Sequence, residues 1–421
     1  MRVLILGSGG REHALAWKLN QSPRVTGLHV MPGSAGMEDL AFRILEDPLD
    51  SSEVLDSARG IGADLVVVGP EAPLAEGIVD VLLDAGIPAF GPTRNAARIE
   101  SSKIFAKELM REAGIPTANF EIFDRPDAAL EYVERVSLPT VIKADGLAAG
   151  KGVTVASSRE EAREAVEEAM IDRRFGSAGE RLLVEDCLVG EELSVMAISD
   201  GETVVLLAAA RDYKAVDDGD RGPNTGGMGC ISPVPGCDEE MLEEVRSRIL
   251  QPAIDEMKRG GTPFRGLLYA GLMLTDEGPM VLEFNCRFGD PETQVVLPRM
   301  RSDLLPLLEA SAGVSGDLSE LEGQLRWYPD AAACVIMASG GYPGSYETGL
   351  PIVGLDELPE DILVFHAGTD RGPSGWVTAG GRVLGVTATG PDLESARRSA
   401  YAAVEEISFP YAHFRRDIGE N

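Results

Sequence analysis

The first hundred residues alternate short apolar runs with longer amphipathic stretches. Strands are predicted at VLILG (3–7), VTGLHVMP (25–32), DLVVVGP (64–70) and IPAFGP (87–92), and helices at about 11–21 and 73–85. This alternation is typical of a parallel, doubly wound sheet, which binds ligands at the carboxyl ends of its strands. Glycine turns and one acid occupy those ends. The candidate substrate-binding residues there are Gly9, Gly10, Gly33, Gly36 and Glu71.

The first turn, GSGGREHALAWKL, does not fit a dinucleotide fingerprint. That fingerprint needs a third glycine and an acid closing the second strand, and the chain has Glu12 and Val30-Met31-Pro32 instead. A helix that begins after a glycine turn binds any phosphate, so a phosphorylated sugar fits equally well. A tight turn without a ligand is the alternative explanation.

Residues 142–153, IKADGLAAGKGV, resemble a Walker loop but differ from it. The spacing between glycines is one residue short, the hydroxyl is missing, and GVTVASS after it has the alternation of a strand rather than a helix. We therefore predict a hairpin between two strands that covers phosphates with its backbone amides and with Lys151. Gly150 and Gly152 would allow the backbone of the hairpin to approach the phosphates closely.

This hairpin followed by VEDCLVGEELSV resembles the ATP-grasp superfamily. The resemblance implies that Lys143, entering the hairpin, and Lys103, on the preceding helix, contact the ATP phosphates. It further implies that Glu185 and Leu188 contact adenine and that Glu192 binds the ribose. The alternative is that these acids are merely solvated.

MVLEFNCRFGDPET (280–293) predicts a strand followed by a turn. Period-two alternation places Glu283, Asn285 and Arg287 on one face. Hard divalent ions prefer oxygen ligands, so Glu283 and Asn285 are the predicted ligands of Mg²⁺ or Mn²⁺, and Arg287 suits a carboxylate or phosphate. The neighbouring strand, GLLYAGLML, has no acid, so only two protein ligands are expected. Gly289 in the turn is a further substrate-binding candidate.

The stretch 211–236 shows no evident strand or helix, and a loop of that length is usually functional or disordered. Asp212 could bind an ammonium group. Lys214, Gly227 and Gly229 are the other substrate-binding candidates there. Beyond it, CVIMAS, LVFHAGT and WVTAGGRVLGVTAT predict strands, and residues at about 392–407 predict a helix. This small region could close the site from the side, and a structural role for His366 is the equal alternative.

Composition narrows the possible classes of protein. The net charge of −31 over 421 residues disfavours binding to nucleic acid or an anionic membrane. No run approaches the ~18 consecutive apolar residues that a membrane-spanning helix needs. The start has no secretion signal, and the five cysteines show no pairing pattern, so we expect a cytoplasmic protein with reduced thiols. Lysine is scarce, with seven residues, yet four of them lie between Lys103 and Lys151.

The motifs GSGGREHALAWKL, VGPEAPL, IKADGLAAGKGV, GPNTGGMG, YAGLM, EFNCRFGDPET and HAGT, in this order, resemble the phosphoribosylamine–glycine ligase (GAR synthetase) family. The resemblance implies an ATP-dependent ligase, usually monomeric, that makes glycinamide ribonucleotide from glycine and 5-phosphoribosylamine through glycyl phosphate. One departure concerns Asp212-Tyr213-Lys214-Ala215, where the family typically reads Asp-His-Lys-Arg. A tyrosine, with a pKa near ~10, cannot shuttle protons at neutral pH.

The expected fold is α/β, in part α+β. It is an ATP-grasp fold with an N-terminal doubly wound domain and a small β-rich C-terminal domain. The predicted divisions are an N-terminal phosphoribosylamine-binding domain, an ATP-grasp lid, an ATP-grasp large subdomain with the metal site, and a C-terminal domain, at 1–100, 101–192, 193–324 and 325–421.

The catalytic candidates are Lys143, Lys151, Arg287 and Asp212, which act by positioning and charge neutralisation, without a covalent protein intermediate. Three other functions stay open: an ATP-grasp ligase with a different acceptor, a nicotinamide-dependent oxidoreductase, and a nucleotide sensor without catalysis.

Overall fold

The computed structural model describes residues 1–147 and 152–420, and the predicted doubly wound sheet forms in its first hundred. The strands are β1 (Arg2–Gly7), β2 (Gly27–Pro32), β3 (Phe42–Arg43), β4 (Leu65–Val68) and β5 (Ala89–Phe90). The helices are α1 (Gly10–Leu19), α2 (Ser51–Ile61), α3 (Glu71–Glu76), α4 (Ile78–Asp84) and α5 (Arg94–Ser101). All strand pairs are parallel, in the order β3-β2-β1-β4-β5. The single helix predicted at 73–85 is two helices, because Gly77 adopts a left-handed φ of 87°.

A second sheet forms around the predicted hairpin. Its elements are α6 (Lys103–Ala113), β6 (Phe120–Phe123), α7 (Pro126–Val133), β7 (Thr140–Ala144), β8 (Val153–Ala156), α8 (Arg159–Val166) and β9 (Leu182–Asp186). The strand order is β6-β9-β7-β8 and the pairs are antiparallel. Because β7 and β8 pair directly, with Lys143 opposite Val153, the prediction of two strands rather than a strand and a Walker helix is confirmed.

The third part contains the longest strands. Its strands are β10 (Glu191–Asp200), β11 (Val204–Leu206), β12 (Arg211–Asp212), β13 (Ala215–Asp217), β14 (Arg221–Asn224), β15 (Gly229–Ser232), β16 (Arg265–Thr275) and β17 (Gly278–Asn285). Its helices are α9 (Glu239–Val245), α10 (Gln251–Arg259), α11 (Thr293–Arg299), α12 (Leu305–Ser311) and α13 (Leu318–Glu322). The antiparallel order β11-β10-β16-β17 places β17 at one edge.

The stretch 211–236 differs from the prediction. It is not structureless, because it contributes β12 to β15. The hairpin β13–β14 stands alone, whereas β12 and β15 join a sheet formed by the C-terminal part of the chain.

The C-terminal part comprises β18 (Ala331–Ala338), β19 (Leu363–His366), β20 (Thr369–Gly372), β21 (Gly375–Thr378), β22 (Arg382–Gly390) and α14 (Leu393–Glu406). Its main sheet has the order β12-β15-β18-β22-β19. α14 packs against β18 and β22 through Ala396, Ala400 and Val404. The predicted strand WVTAGGRVLGVTAT is two strands, β21 and β22, with Gly380 and Gly381 between them.

The buried cores join some of these parts and separate others. Leu4 and Leu6 of β1 share a core with Leu268 of β16, and Val3 shares another with Leu267. The N-terminal sheet and the β10–β16 sheet therefore pack as one unit. The sheet around β7 has its own core with α7 and α8. Within the described residues no helix is both long and apolar enough to cross a membrane.

Candidate active site

Lys143 projects from β7 toward the rest of the molecule. Its neighbours Ile142 and Ala144 face the core of the β7 sheet, so alternation turns Lys143 the other way. Its Nζ donates a hydrogen bond to the carbonyl oxygen of Leu282 on β17 (3.1 Å) and forms an ion pair with Glu185. Lys143 therefore lies where the two ATP-grasp sheets meet.

Lys103 is the first residue of α6 and approaches the same hairpin. Ser102 caps the helix by accepting from the amide of Phe105 (3.1 Å) and donates to Asp145 just beyond β7 (2.9 Å). Nζ of Lys103 donates to the carbonyl oxygen of Gly146 (2.9 Å). Burial lowers the pKa of Lys103, and the Glu283 carboxylate opposes this effect.

Glu185 is a buried carboxylate between two ammonium groups. Oε1 pairs with Lys143, and Oε2 lies 2.5 Å from Nζ of Lys107. Burial lowers the pKa of Lys107 to about 8, with Glu185 opposing the shift. Leu188 is half-buried in the connection to β10, and the carbonyl of Gly152 accepts from the amide of Ala144 (2.8 Å). Gly150 and Lys151 lie outside the described residues.

Glu283 and Asn285 lie at the end of β17. Burial opposes ionisation of Glu283, but the ammonium groups of Lys214, Lys143 and Lys103 outweigh it and hold the pKa of Glu283 below its ordinary value. Within the described ranges no group of three or more His, Cys, Asp or Glu could hold a metal ion. An ionised carboxylate and an amide oxygen nonetheless fit a Mg²⁺ or Mn²⁺ ion that takes its other ligands from phosphates and water.

Arg287 ties this strand end to the N-terminal sheet. It lies 3.4 Å from Glu71, at the carboxyl end of β4, and 3.2 Å from Glu100 of α5. Its Nη2 also donates to Oδ1 of Asn285 (3.3 Å). Burial opposes the charge of Arg287, but the two carboxylates raise its pKa above the ordinary value. Two predicted residues from distant segments, Glu71 and Arg287, thus meet.

Asp212 and Lys214 face the same region from β12 and its continuation. Lys214 forms an ion pair with Glu192. A Cβ at Gly227, whose φ is 110°, would lie 2.5 Å from Oδ1 of Asp212, so glycine is required there. Tyr213 points the opposite way, into the core of the C-terminal sheet. The departure from the family pattern at 213 therefore changes a packing position and leaves the Asp212 face unaltered.

Three residues that sequence reasoning missed surround Asp212. Oε1 of Glu292 accepts from Ser194 Oγ (3.1 Å) and Tyr269 Oη (3.0 Å). Burial and then the Glu292 carboxylate raise the pKa of Asp212. Period-two alternation along β10 places Ser194 on the same side as Glu192, which was the available sequence signal. Tyr269 offered none, because it is one residue of a continuous apolar strand.

The N-terminal turns face α11 and β19. The amide of Gly9 donates to Glu12 (2.7 Å), and a Cβ at Gly10 would lie 2.8 Å from Nε2 of Gln294. Gly33 has a φ of 61°. The remaining predicted glycines are in close packing contact, with Gly36 against the His366 ring, Gly229 against Ile418 and Gly289 against Glu292. Their small size is required for these contacts.

Several buried polar atoms near these groups have no hydrogen-bond partner within the described part of the chain. They include Oγ of Ser34, Oδ1 of Asp212 and Oε1 of Gln294. An unsatisfied buried polar atom costs about 1–3 kcal/mol. These atoms are thus suited to bind a polar substrate, and neither Ser34 nor Gln294 was identified from the sequence.

Comparison with known protein families covers most of the chain. Residues 1–100, 101–293 and 332–421 match the N domain, the ATP-grasp (A) domain and the C domain of phosphoribosylglycinamide synthetase. A phosphoribosylamine–glycine ligase of Rhodopirellula baltica is 51% identical, covering 99% of this chain and 97% of its own. A phosphoribosylamine–glycine ligase of Rhizobium meliloti is 49% identical, covering 100% of this chain and 98% of its own.

Solved structures show the same likeness. A phosphoribosylamine–glycine ligase of Thermotoga maritima superposes with a TM-score of 0.86 at 35% identity, covering 99% of this chain and 100% of its own. The biotin carboxylase domain of a Hydrogenobacter thermophilus 2-oxoglutarate carboxylase superposes with a TM-score of 0.77 at 16% identity, covering 98% and 91%. The second likeness concerns the fold alone.

Proposed function

Since the chain belongs to the phosphoribosylglycinamide synthetase family, we propose that the residues gathered around β7, β12 and β17 carry out the reaction of a phosphoribosylamine–glycine ligase. The enzyme joins glycine to 5-phosphoribosylamine with the conversion of ATP to ADP and phosphate, which is a step of purine biosynthesis. The observation that carries the residue assignment is the meeting of Lys103, Lys143 and Glu283 at one point between two sheets.

The lysines hold the nucleotide in this proposal. Lys103 and Lys143, together with Lys151 and the amides of Gly150 and Gly152, bind the ATP phosphates. Leu188 and the strand end at Glu185 contact the adenine, and Glu192 contacts the ribose. Burial supports the phosphate assignment, because ammonium groups withdrawn from water interact more strongly with a bound anion.

Glu283 and Asn285 are the proposed protein ligands of Mg²⁺ or Mn²⁺. The ion would neutralise charge on the β- and γ-phosphates. Lys103 and Lys143, which keep Glu283 ionised, lie beside this pair, so the phosphate-binding and metal-binding groups form one site.

Asp212 and Arg287 are the proposed glycine contacts. The unpartnered Oδ1 of Asp212 would accept from the ammonium group, and Arg287 would bind the carboxylate near the γ-phosphate. Lys214 and Gly227 form the wall beside Asp212. Gly229 and Gly289 act through the packing that holds this wall and the Glu292 carboxylate in place.

The glycine turns would hold phosphoribosylamine. The amide of Gly10 at the start of α1 suits the sugar phosphate, Gly9 shapes the turn with its own amide on Glu12, and Ser34 and Gln294 add unpartnered polar atoms. Gly33 permits the turn after β2, and Gly36 lets His366 approach it. Glu71 lies beside Arg287, on the side toward glycine.

The proposed chemistry has two steps. A carboxylate oxygen of glycine attacks the γ-phosphorus and the bond to ADP breaks, which gives glycyl phosphate. The amine of phosphoribosylamine then attacks the acyl carbon, and the C–O bond breaks so that the bridging oxygen leaves with phosphate. The side chains act by orienting the groups and stabilising charge.

Glycine labelled with ¹⁸O in its carboxylate tests this route. If glycyl phosphate forms, each phosphate released carries one ¹⁸O atom, because the bridging oxygen comes from glycine. Unlabelled phosphate from a reaction that yields glycinamide ribonucleotide would rule the intermediate out. A reaction without the amine substrate measures the background of direct ATP hydrolysis.

The protein is further proposed to be a cytoplasmic monomer. Five free cysteines in the described residues support a reducing compartment. Light scattering on the purified protein measures the mass in solution, for which we expect one 44.8 kDa chain.

A further inference from the structure

Lys107 contacts Glu185 but has no role in the proposed reaction, although it is one of the most deeply buried lysines. It lies one turn after Lys103 on α6 and is 2% exposed. Its Nζ is 2.5 Å from Oε2 of Glu185 and donates to Oγ1 of Thr117 (2.6 Å), which in turn donates to the carbonyl oxygen of Val281 (2.7 Å). The ammonium group thus links α6, β9 and β17.

Glu185 therefore divides one negative charge between two ammonium groups. Lys143 pairs with Oε1 and Lys107 with Oε2, so the three groups carry a net charge of about +1. If Glu185 had only Lys143 as a partner, the two would form a closed neutral pair. Separating such a pair is costly in a buried place, because its attraction is not screened by water.

Lys143 has another contact available as well. Its Nζ already bonds to a backbone carbonyl of β17, one residue before Glu283. The second contact of Lys107 is to Thr117, which is itself bonded to the carbonyl oxygen of Val281 and has no role in the proposed site. Of the two lysines on Glu185, Lys143 is therefore the one able to turn toward a nucleotide.

We propose that Lys107 is a positioning residue for Lys143: it keeps Glu185 paired, so that Lys143 can move its contact from Glu185 to a phosphate oxygen when ATP binds. This rests on the proposed function, in which Lys143 binds the ATP phosphates. Lys107 itself touches no substrate. Its effect is on the affinity for ATP, and the rate at saturating ATP is expected to depend on it little.

The test is a double-mutant cycle with Lys107→Met, Glu185→Gln and the pair combined, measuring KM for ATP and kcat separately. Lys107→Met should raise KM for ATP roughly tenfold or more, because Glu185 then holds Lys143 alone. The kcat of this variant at saturating ATP should stay within a few-fold of the wild-type value. Since Lys107 acts only through Glu185, adding Lys107→Met to Glu185→Gln should change KM for ATP little.

The control is Lys258→Met, which breaks an exposed Lys258–Glu202 pair (2.7 Å) far from the site in the chain. A Lys107→Met enzyme that matches this control would overturn the proposal, as would a double variant whose KM for ATP exceeds that of Glu185→Gln tenfold or more. If Lys107→Met does not fold, the double variant keeps the test valid, since losing a buried pair together is far milder than losing one partner. Its KM for ATP should then match that of Glu185→Gln, because Lys107 acts only through Glu185, and a further rise of tenfold or more would overturn the proposal.

Lys143→Ala separates the two hypotheses. If Lys143→Ala leaves KM for ATP and kcat unchanged, the proposed nucleotide site itself is wrong. If Lys143→Ala impairs the enzyme but Lys107→Met behaves as the control, only the role of Lys107 is wrong.

Discussion

Asp212 is subject to two opposing requirements. Burial and the Glu292 carboxylate raise its pKa, so the folded protein favours the protonated form more than the unfolded chain does. For an acid with a raised pKa, the contribution to stability is greatest at low pH and is lost as pH rises through the folded pKa. Keeping Asp212 ionised in the fold therefore costs stability, and binding of an ammonium group would offset that cost.

Asp212→Asn tests this conflict. Removing the charge should leave the thermal unfolding midpoint unchanged or raise it, while KM for glycine rises about 10- to 100-fold, the range expected for loss of a hydrogen bond to a charged group. KM for ATP should change little. Calorimetry and steady-state kinetics measure these quantities.

The control for this variant is Asp217→Asn, on the exposed hairpin β13–β14 a few residues away. It should change neither quantity. An Asp212→Asn enzyme with an unchanged KM for glycine would show that Asp212 does not bind the substrate ammonium group.

The residues that sequence reasoning identified share one property, which is a short motif around them. Lys143 and Glu283 lie on strands, so alternation alone predicts their direction, whereas β17 ends at Asn285 and Arg287 lies two residues beyond it. Ser194 and Tyr269 meet Glu292 from 98 and 23 residues away. Such a cluster exists only once the strands have paired, and no local pattern encodes it.

At the scale of elements, α1 and β19 form a contact between the N-terminal and C-terminal sheets through two histidines. The amide of His366 donates to Nδ1 of His13 (2.9 Å), and Nδ1 of His366 lies 2.9 Å from Oγ1 of Thr369. Burial lowers the pKa of His13 to about 3 and that of His366 to about 4, from an ordinary 6.5. His366 is packed as a structural histidine would be, with its ring tilted against that of Trp376 and the ring centroids 4.3 Å apart.

These shifts make the contact sensitive to acid. A base with a lowered pKa contributes stability above its unfolded pKa and loses it as pH falls toward its folded pKa. Each histidine should therefore lower the free energy of unfolding by roughly 1.4 kcal/mol per pH unit below 6.5. His13→Asn keeps an acceptor for the His366 amide but does not titrate, so urea unfolding at pH 7 and pH 5 should show a smaller loss than in wild type.

His29→Asn is the control for that comparison, because His29 lies at the outer part of the sheet and is only partly buried. Its pKa is lowered by burial and by the nearby charge of Arg2. If His13→Asn loses as much stability between pH 7 and pH 5 as the wild type does, the buried histidines are not the source of the acid sensitivity.

The elements missed from the sequence are short strands that depend on distant partners. β12 and β15 contain two and four residues, and β15 pairs with β18 about a hundred residues later, with Cys230 opposite Cys334. The segment around them is rich in glycine and aspartate, so it has no alternation of its own. By contrast, β1, β4 and β16 carry long apolar runs and were predicted.

At the scale of the whole molecule, a strongly acidic chain collects its few lysines around one site. The net charge is −31, yet Lys103, Lys107, Lys143 and Lys214 converge near Glu283 and Glu185. Beyond about 10 Å, salt screens the overall negative field, so these buried lysines dominate what an entering anion experiences. The site lies between the β7 sheet, which has its own core, and the core shared by the N-terminal and β10–β16 sheets. That position was implied by family resemblance, whereas the ion pairs that join the two parts became visible only in three dimensions.

ADP release, measured with each substrate omitted in turn and with phosphoribosylamine generated in situ, tests the central claim most directly. The account predicts that ADP forms only when both glycine and phosphoribosylamine are present, and that glycinamide ribonucleotide is the product. ADP release that ignores glycine and responds to a different carboxylate or amine would contradict the claimed reaction.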